Sequence, residues 1–247
     1  MFHTENQDLQ KLSKENPEAI KQLESLFQGR VNVYIDYANV RPWADKLGWH
    51  VDMKRLKNFY RAFDNVGDLK VYYGTLKGNP DSEKNIAEWK KFGYIVRTKD
   101  VKIIKLFINA SSISPQSPDI LRNFVRAPLL RKWDVETIEH LNRKFAEMNK
   151  RGINYFEDRK CNFDVEIGRD MTLDRERDAA DCFVLWSGDS DFHDPLNEIL
   201  SSGKKAILFA TARAVSKELN ELRSKGLFIF DIKKIKEMIC WRKELGL

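Results

Sequence analysis

The stretch VLWSGDSDF, Val184 to Phe192, sets two kinds of residue against each other. Apolar side chains of the sort that fill a buried strand run into Ser187 and Gly188. Asp189 and Asp191 then follow, two apart. Such a run, stopped by glycine, reads as a core strand leaving through a sharp turn. What that turn delivers depends on what the other strands deliver.

Working outward, β-rich runs recur at VNVYID (31–36), LKVYYGTL (69–76), GYIVRTK (93–99), KAILFA (205–210) and LFIF (227–230). Between them lie stretches read as helices: 52–63, 82–92, around 163–167, after Asp194-Pro195, and from Ser216. Asp194, followed by proline, reads as a helix N-cap, and capping is also an alternative for Asp191. Strands and helices in this alternation predict an α/β domain with a mainly parallel sheet covered on both faces.

Ahead of the first strand, Asn16-Pro17 opens a helix whose stripe is Ile20, Leu23 and Phe27 and which Gly29 ends. Residues 1–30 are therefore expected to form a helical extension, and 31–247 the main domain. The rhythm breaks between about 103 and 158. There the loop-like ASSISPQSP precedes VETIEHLNRKFAEM, in which Val135, Ile138, Leu141, Phe145 and Met148 recur at helical spacing. This is expected to be a helical insertion within the one domain.

The 247 residues carry a formal net charge of +6. About 12 Lys/Arg against about 7 Asp/Glu fall between Val101 and Lys160, so roughly +5 sits there. A solvated basic face and a polyanion partner both fit that bias. Within it, Arg122, Arg126, Arg131 and Lys132 are the positions singled out for phosphate contact. No apolar run approaches the ~18 residues of a membrane helix. The opening MFHTENQDLQ has no secretory core, and three cysteines without CxxC spacing suit a reducing compartment, so a cytoplasmic location is expected. Four scattered histidines give no zinc pattern.

Ligands of open parallel sheets bind beyond the carboxyl ends of the strands. Asp36 closes the first strand, Asp189 and Asp191 follow CFVLWS, and Asp164 in KCNFDVEIGRD precedes that strand. An ion pair of Asp164 with Lys160, four residues before it, is the ordinary alternative for that acid. Carboxylates gathered at one sheet edge repel, and a cation or a proton must relieve them. An all-oxygen donor set favours Mg²⁺ or Mn²⁺.

YIDYAN, KCNFDVEIGRD and FVLWSGDSDF, in that order, resemble the successive motifs of NYN domains in the PIN-like nuclease superfamily, nearest the LabA-like branch. The resemblance spans about 31–99 and 160–232 and leaves out the insertion. It implies a PIN-like three-layer α/β/α sandwich and an acidic Mg²⁺ or Mn²⁺ site that cleaves RNA. It carries catalytic and metal-binding roles to Asp36, Asp164, Asp189 and Asp191, and supporting roles to Asn39, Ser187 and Asp170. Asp170 lies six residues beyond Asp164 and need not share its helical face. His193 departs from the family, which has an apolar residue there.

Two rival phosphate-enzyme readings fit the first strand less well. A haloacid-dehalogenase phosphatase needs DxD after the first strand, where this chain has Asp36-Tyr37-Ala38. A Toprim domain needs a glutamate there. A module of the same fold that binds RNA or a nucleotide without turnover keeps the same acids. A homodimer through Val135, Ile138 and Leu141 is the competing use of the insertion.

Overall fold

The run VNVYID forms strand β1 (Val31–Asp36), and its two faces differ in chemistry. Val31, Val33 and Ile35 point one way, and Asn32, Tyr34 and Asp36 the other. That alternation sorts the helices between the two faces of the sheet. The computed structural model describes residues 1–44, 48–76, 78–211 and 215–241, with the backbone alone for Arg159 and Trp241. The chain divides into two compact units, 1–100 with 161–247, and 101–160.

In chain order, the first part of the larger unit contains α1 (Gln7–Glu15), α2 (Pro17–Leu26), β1, α3 (Tyr37–Val40), β2 (His50–Val51), α4 (Met53–Arg61), β3 (Val66–Thr75), α5 (Pro80–Phe92) and β4 (Ile95–Asp100). The smaller unit contains β5 (Lys102–Phe107), α6 (Ala127–Leu130), α7 (Val135–Lys150) and β6 (Tyr155–Lys160). The larger unit resumes with α8 (Asp164–Glu176), β7 (Cys182–Trp186), α9 (His193–Ser201), β8 (Lys205–Ala210), α10 (Lys217–Glu221), β9 (Phe228–Asp231), α11 (Lys236–Ile239) and β10 (Cys240–Trp241).

Among the described residues the main sheet has six strands in the order β4-β3-β1-β7-β8-β9, every pair parallel. The chain runs outward from β1 to β4 on one side, then returns to lay β7 on the other. The switch point of the topology is therefore the β1/β7 boundary. There Ile35 pairs with Trp186, which sets Asp36 beside Ser187 at the carboxyl edge.

The odd face of β1 belongs to an aromatic core. Trp186 stacks on Phe209 at 5.2 Å and donates its Nε1–H to the Tyr60 hydroxyl of α4 at 2.7 Å. Phe27, after α2, packs on Tyr60 and Phe209. A buried indole needs such a partner, because an unmet N–H away from water costs about 1–3 kcal/mol. The even face lies under α8: Asp174 accepts from the Tyr34 hydroxyl at 2.5 Å, from Lys70 at 2.5 Å and from the Asn32 amide at 3.0 Å. Helices on both faces of a parallel sheet make the three-layer α/β/α sandwich that the sequence predicts.

Two glycines hold close approaches. Gly29 has φ +68°, and a Cβ there would lie 2.6 Å from that of Asp181. Gly168 lets α8 approach α9, since a Cβ would meet Pro195 at 3.2 Å.

The smaller unit is not purely helical. KIIKLF and YFEDRK pair as the antiparallel strands β5 and β6. Helix α7, capped by Asp134, holds the long loop through two asparagines: Asn142 donates to the carbonyls of Pro115 and Ser117, and Asn149 accepts from Ala110 N–H. Ile138 is buried against Leu121 and Leu130 of the same unit, while Val135 stays 56% exposed. A dimer built on Ile138 would therefore compete with the unit's own core. No helix among the described residues is long and apolar enough to cross a membrane.

Candidate functional site

The carboxyl edge at the switch point gathers four of the acids named from the sequence. Asp36 ends β1, is 5% exposed, and caps the short helix α3 by accepting from Asn39 N–H at 3.3 Å. Its other oxygen accepts from the Ser187 hydroxyl at 3.3 Å. Ser187 in turn accepts from Asp189 N–H, and the Asn39 side-chain oxygen accepts from Gly188 N–H, both at 3.3 Å. Asn39 and Ser187 thus tie the exit of β1 to the exit of β7.

Past Gly188 the chain makes a single 3₁₀ turn, Ser190–Phe192, which Asp189 caps by accepting from Asp191 N–H at 3.2 Å. That turn runs directly into α9, so the position before the helix falls to Phe192. Asp194, expected as the cap, instead lies in the first turn with its carboxylate 2.8 Å from Nδ1 of His193. The expectation failed because proline marks a helix start only to within a residue or two.

Asp164 opens α8 and faces the same edge. One carboxylate oxygen from each of Asp164, Asp189 and Asp191 lies within 4.8 Å of the others. Unit charges at that spacing repel by about 3 kcal/mol at an effective dielectric of 20. The strain shows in protonation. Burial above all, with Asp164 and Asp189 adding to it, pushes Asp36 up to about 6, against hydrogen bonds that pull it down. Burial first, and then Asp189 and Asp191, also raises Asp164.

Asp164 Oδ2 is buried and accepts no hydrogen bond from a described residue. A buried carboxylate oxygen without a donor, in a cluster of like charge, is one that a bound cation would satisfy, and the all-oxygen donors suit Mg²⁺ or Mn²⁺. The residues present therefore fit a divalent ion. Lys160 forms its ion pair with Asp158 at 3.9 Å.

Asp170 stands apart from this group. It is turned toward β3 and β4, where the Tyr72 hydroxyl donates to it at 2.9 Å and Arg97 pairs with it at 3.3 Å. Sequence reasoning missed Tyr72, Arg97 and Arg169 around it. The available signal was the cations at alternate positions of GYIVRTK opposite acids spaced by four on the helix, Glu166, Asp170 and Asp174. In the smaller unit, Arg122, Arg126, Arg131 and Lys132 bracket the single turn α6 and are all exposed, with Leu129 and Trp133 exposed among them. Arg122 pairs with Asp119 at 3.3 Å.

The family model of the NYN domain matches residues 127–229, which include Asp164, Ser187, Asp189 and Asp191 but not Asp36 or Asn39. The match begins inside the smaller unit, which the motif resemblance left out. The low amplitude and bright protein LabA of Synechococcus elongatus is 22% identical over 209 residues, covering 84% of this chain and 88% of that protein. Among solved structures, a protein of unknown function from Vibrio parahaemolyticus shares the fold with a TM-score of 0.52 and 14% identity, over 86% of this chain and 96% of the other. The family match, the LabA relative and the ordered acid motifs set on this parallel sheet together support an NYN domain protein of the PIN-like superfamily.

Proposed function

We propose that this protein is a metal-dependent ribonuclease that hydrolyses RNA phosphodiester bonds at the edge formed by Asp36, Asp164, Asp189 and Asp191. The observation that carries the reading is the convergence of three carboxylates within 4.8 Å, one with an orphaned buried oxygen. Asp164, Asp189 and Asp191 would hold Mg²⁺ or Mn²⁺, and Asp36 would complete the donor set from β1. Such an ion supplies charge neutralisation, a more acidic attacking water and stabilisation of the leaving oxygen.

The chain's own residues prepare that edge. The Ser187 hydroxyl and the Asn39 backbone N–H each donate to one oxygen of the Asp36 carboxylate, which orients it at the edge. Asp189 spends one oxygen as a cap and keeps the other for the site. Single-stranded or structured RNA is the proposed substrate, with Arg122, Arg126, Arg131 and Lys132 as backbone contacts of the smaller unit.

The test incubates labelled RNA and DNA with purified protein in Mn²⁺, Mg²⁺ or EDTA, with Asp189→Asn as control. Cleavage that needs the cation and is lost in the variant supports the reading. Undiminished cleavage in EDTA refutes it.

A further inference from the structure

Asp170 gathers more positive charge than a structural ion pair needs. Its carboxylate is 4% exposed and both oxygens are engaged. Oδ2 accepts from the Tyr72 hydroxyl at 2.9 Å and lies 3.3 Å from Arg97 Nε, while Oδ1 accepts from Arg169 Nη2 at 3.2 Å. Burial works against the charged form, yet these partners overcome it and hold the acid below its ordinary range. One carboxylate thus orients two guanidinium groups whose side chains remain 51% and 61% exposed.

Docking α8 on the sheet accounts for one arginine only. Arg97, on the edge strand β4, ties strand to helix. Arg169 is the sequence neighbour of Asp170 on the same helix, so their pair adds nothing to helix–sheet packing. A guanidinium carries five N–H donors. Neither of these two makes a further hydrogen bond or ion pair with a described residue. Nearby, Lys99 and Glu166 neutralise each other at 2.8 Å. The patch keeps one positive charge over and two planar forks directed by a buried acid. Arg169 is five residues along α8 from Asp164, a rise of about 7.5 Å.

We propose that Arg97 and Arg169 form a subsite that grips a backbone phosphate of RNA beside the acidic centre, with Asp170 as its positioning residue. Planar forks match phosphate oxygens two at a time, and a fixed fork loses less freedom on binding than a free one. The proposal rests on the ribonuclease reading, and it gives the supporting role of Asp170 a definite form.

The test measures anisotropy of a labelled single-stranded RNA across a salt series with Mg²⁺ present. All proteins carry Asp189→Asn, so that the RNA stays intact. Replacing Arg97 and Arg169 together by Gln should weaken binding roughly tenfold. It should also flatten the slope of log affinity against log salt by about 1.4, from two contacts at about 0.7 each.

Asp170→Asn separates positioning from charge. It removes a negative charge, so simple electrostatics predicts tighter binding, whereas a positioning role predicts weaker binding. If that variant does not fold, Tyr72→Phe, which leaves the charge unchanged, should weaken binding in the same direction. An unchanged affinity and slope in the double Gln variant overturns the proposal, as does tighter binding with Asp170→Asn or unweakened binding with Tyr72→Phe. When the parent chain cleaves RNA with a cation, those results sink the subsite alone. A parent that neither binds nor cleaves RNA sinks the ribonuclease reading and the subsite with it.

Discussion

Asp36→Asn should make the metal-free protein more stable while making it less active. Burial and its neighbours raise Asp36 from 3.8 to about 6, so at neutral pH the folded state holds a charge that the unfolded chain would carry more easily. A displacement of that size corresponds to about 3 kcal/mol. The sign follows from linkage. The folded state binds the proton more tightly, so the penalty is full above pH ~6 and fades as pH falls toward 4. Asparagine keeps the shape, still caps α3 and still accepts from Ser187, but its amide must find a partner, which returns part of the gain. A net gain of about 1–2 kcal/mol at pH 7.5 in EDTA corresponds to a rise of roughly 2–8 °C in melting midpoint for a chain of this size. The assay is thermal unfolding of both proteins at pH 5 and pH 7.5, with EDTA and with Mn²⁺. The gap between them should narrow at pH 5. Mn²⁺ should stabilise the parent more than the variant. A variant less stable than the parent at pH 7.5, with a gap indifferent to pH, would refute the electrostatic account of this edge.

Asp36→Asn and Asp189→Asn should each lower turnover by at least ~100-fold in a cleavage assay with Mn²⁺, as loss of a ligand does, while both retain native circular dichroism. Replacing Arg122, Arg126, Arg131 and Lys132 together by Gln should weaken RNA binding and reduce its salt slope by about 0.7 per lost contact, with less effect on turnover at saturating RNA. Ile138→Asp buries a charge between Leu121 and Leu130, and limited proteolysis should then cut within 101–160 while the larger unit survives. Gly29→Ala should destabilise by more than ~1 kcal/mol in urea, since its φ of +68° and the nearby Asp181 Cβ both resist a side chain.

The sheet was legible because its strands are short β-rich runs with turn signals at their ends. VNVYID and CFVLWS announce themselves without their partners. The β5–β6 hairpin did not, because KIIKLF and YFEDRK are separated by nearly the whole insertion and no tight turn joins them. Helix α1 was passed over because its sequence, QDLQKLSKE, buries only Leu9. At the site, Asp36, Asp189 and Asp191 could be set at one edge from their strand exits, whereas Asp164, which opens a helix, was placed by the motif ahead of β7. Their local duties were not legible: Asp189 caps a turn, Asp194 does not cap a helix, and Asp170 turns to β3 and β4. Those outcomes depend on where a 3₁₀ turn meets a helix and on which cations the neighbouring strands present. Neither quantity is local in sequence.

The arrangement of charge also bears on whether the fold merely binds RNA. A passive binding surface has no use for four carboxylates where a polyanion must lie, because each repels the phosphates that Lys and Arg elsewhere attract. This chain separates the two signs. Its acids converge at the β1/β7 exit, while Arg97 and Arg169 on the larger unit and the basic turn of the smaller one keep their guanidinium and ammonium groups exposed. Under the ribonuclease reading, the acidic edge would repel RNA until a divalent ion reversed the local field, and would then become the place where a phosphate is held most strongly. A module that only binds should therefore be indifferent to the cation, or gain affinity when the acids are neutralised. A nuclease should need the cation for productive engagement and lose turnover when any one acid is removed. The orphaned oxygen of Asp164 favours the second reading, since without an ion it is an unmet cost with no structural return.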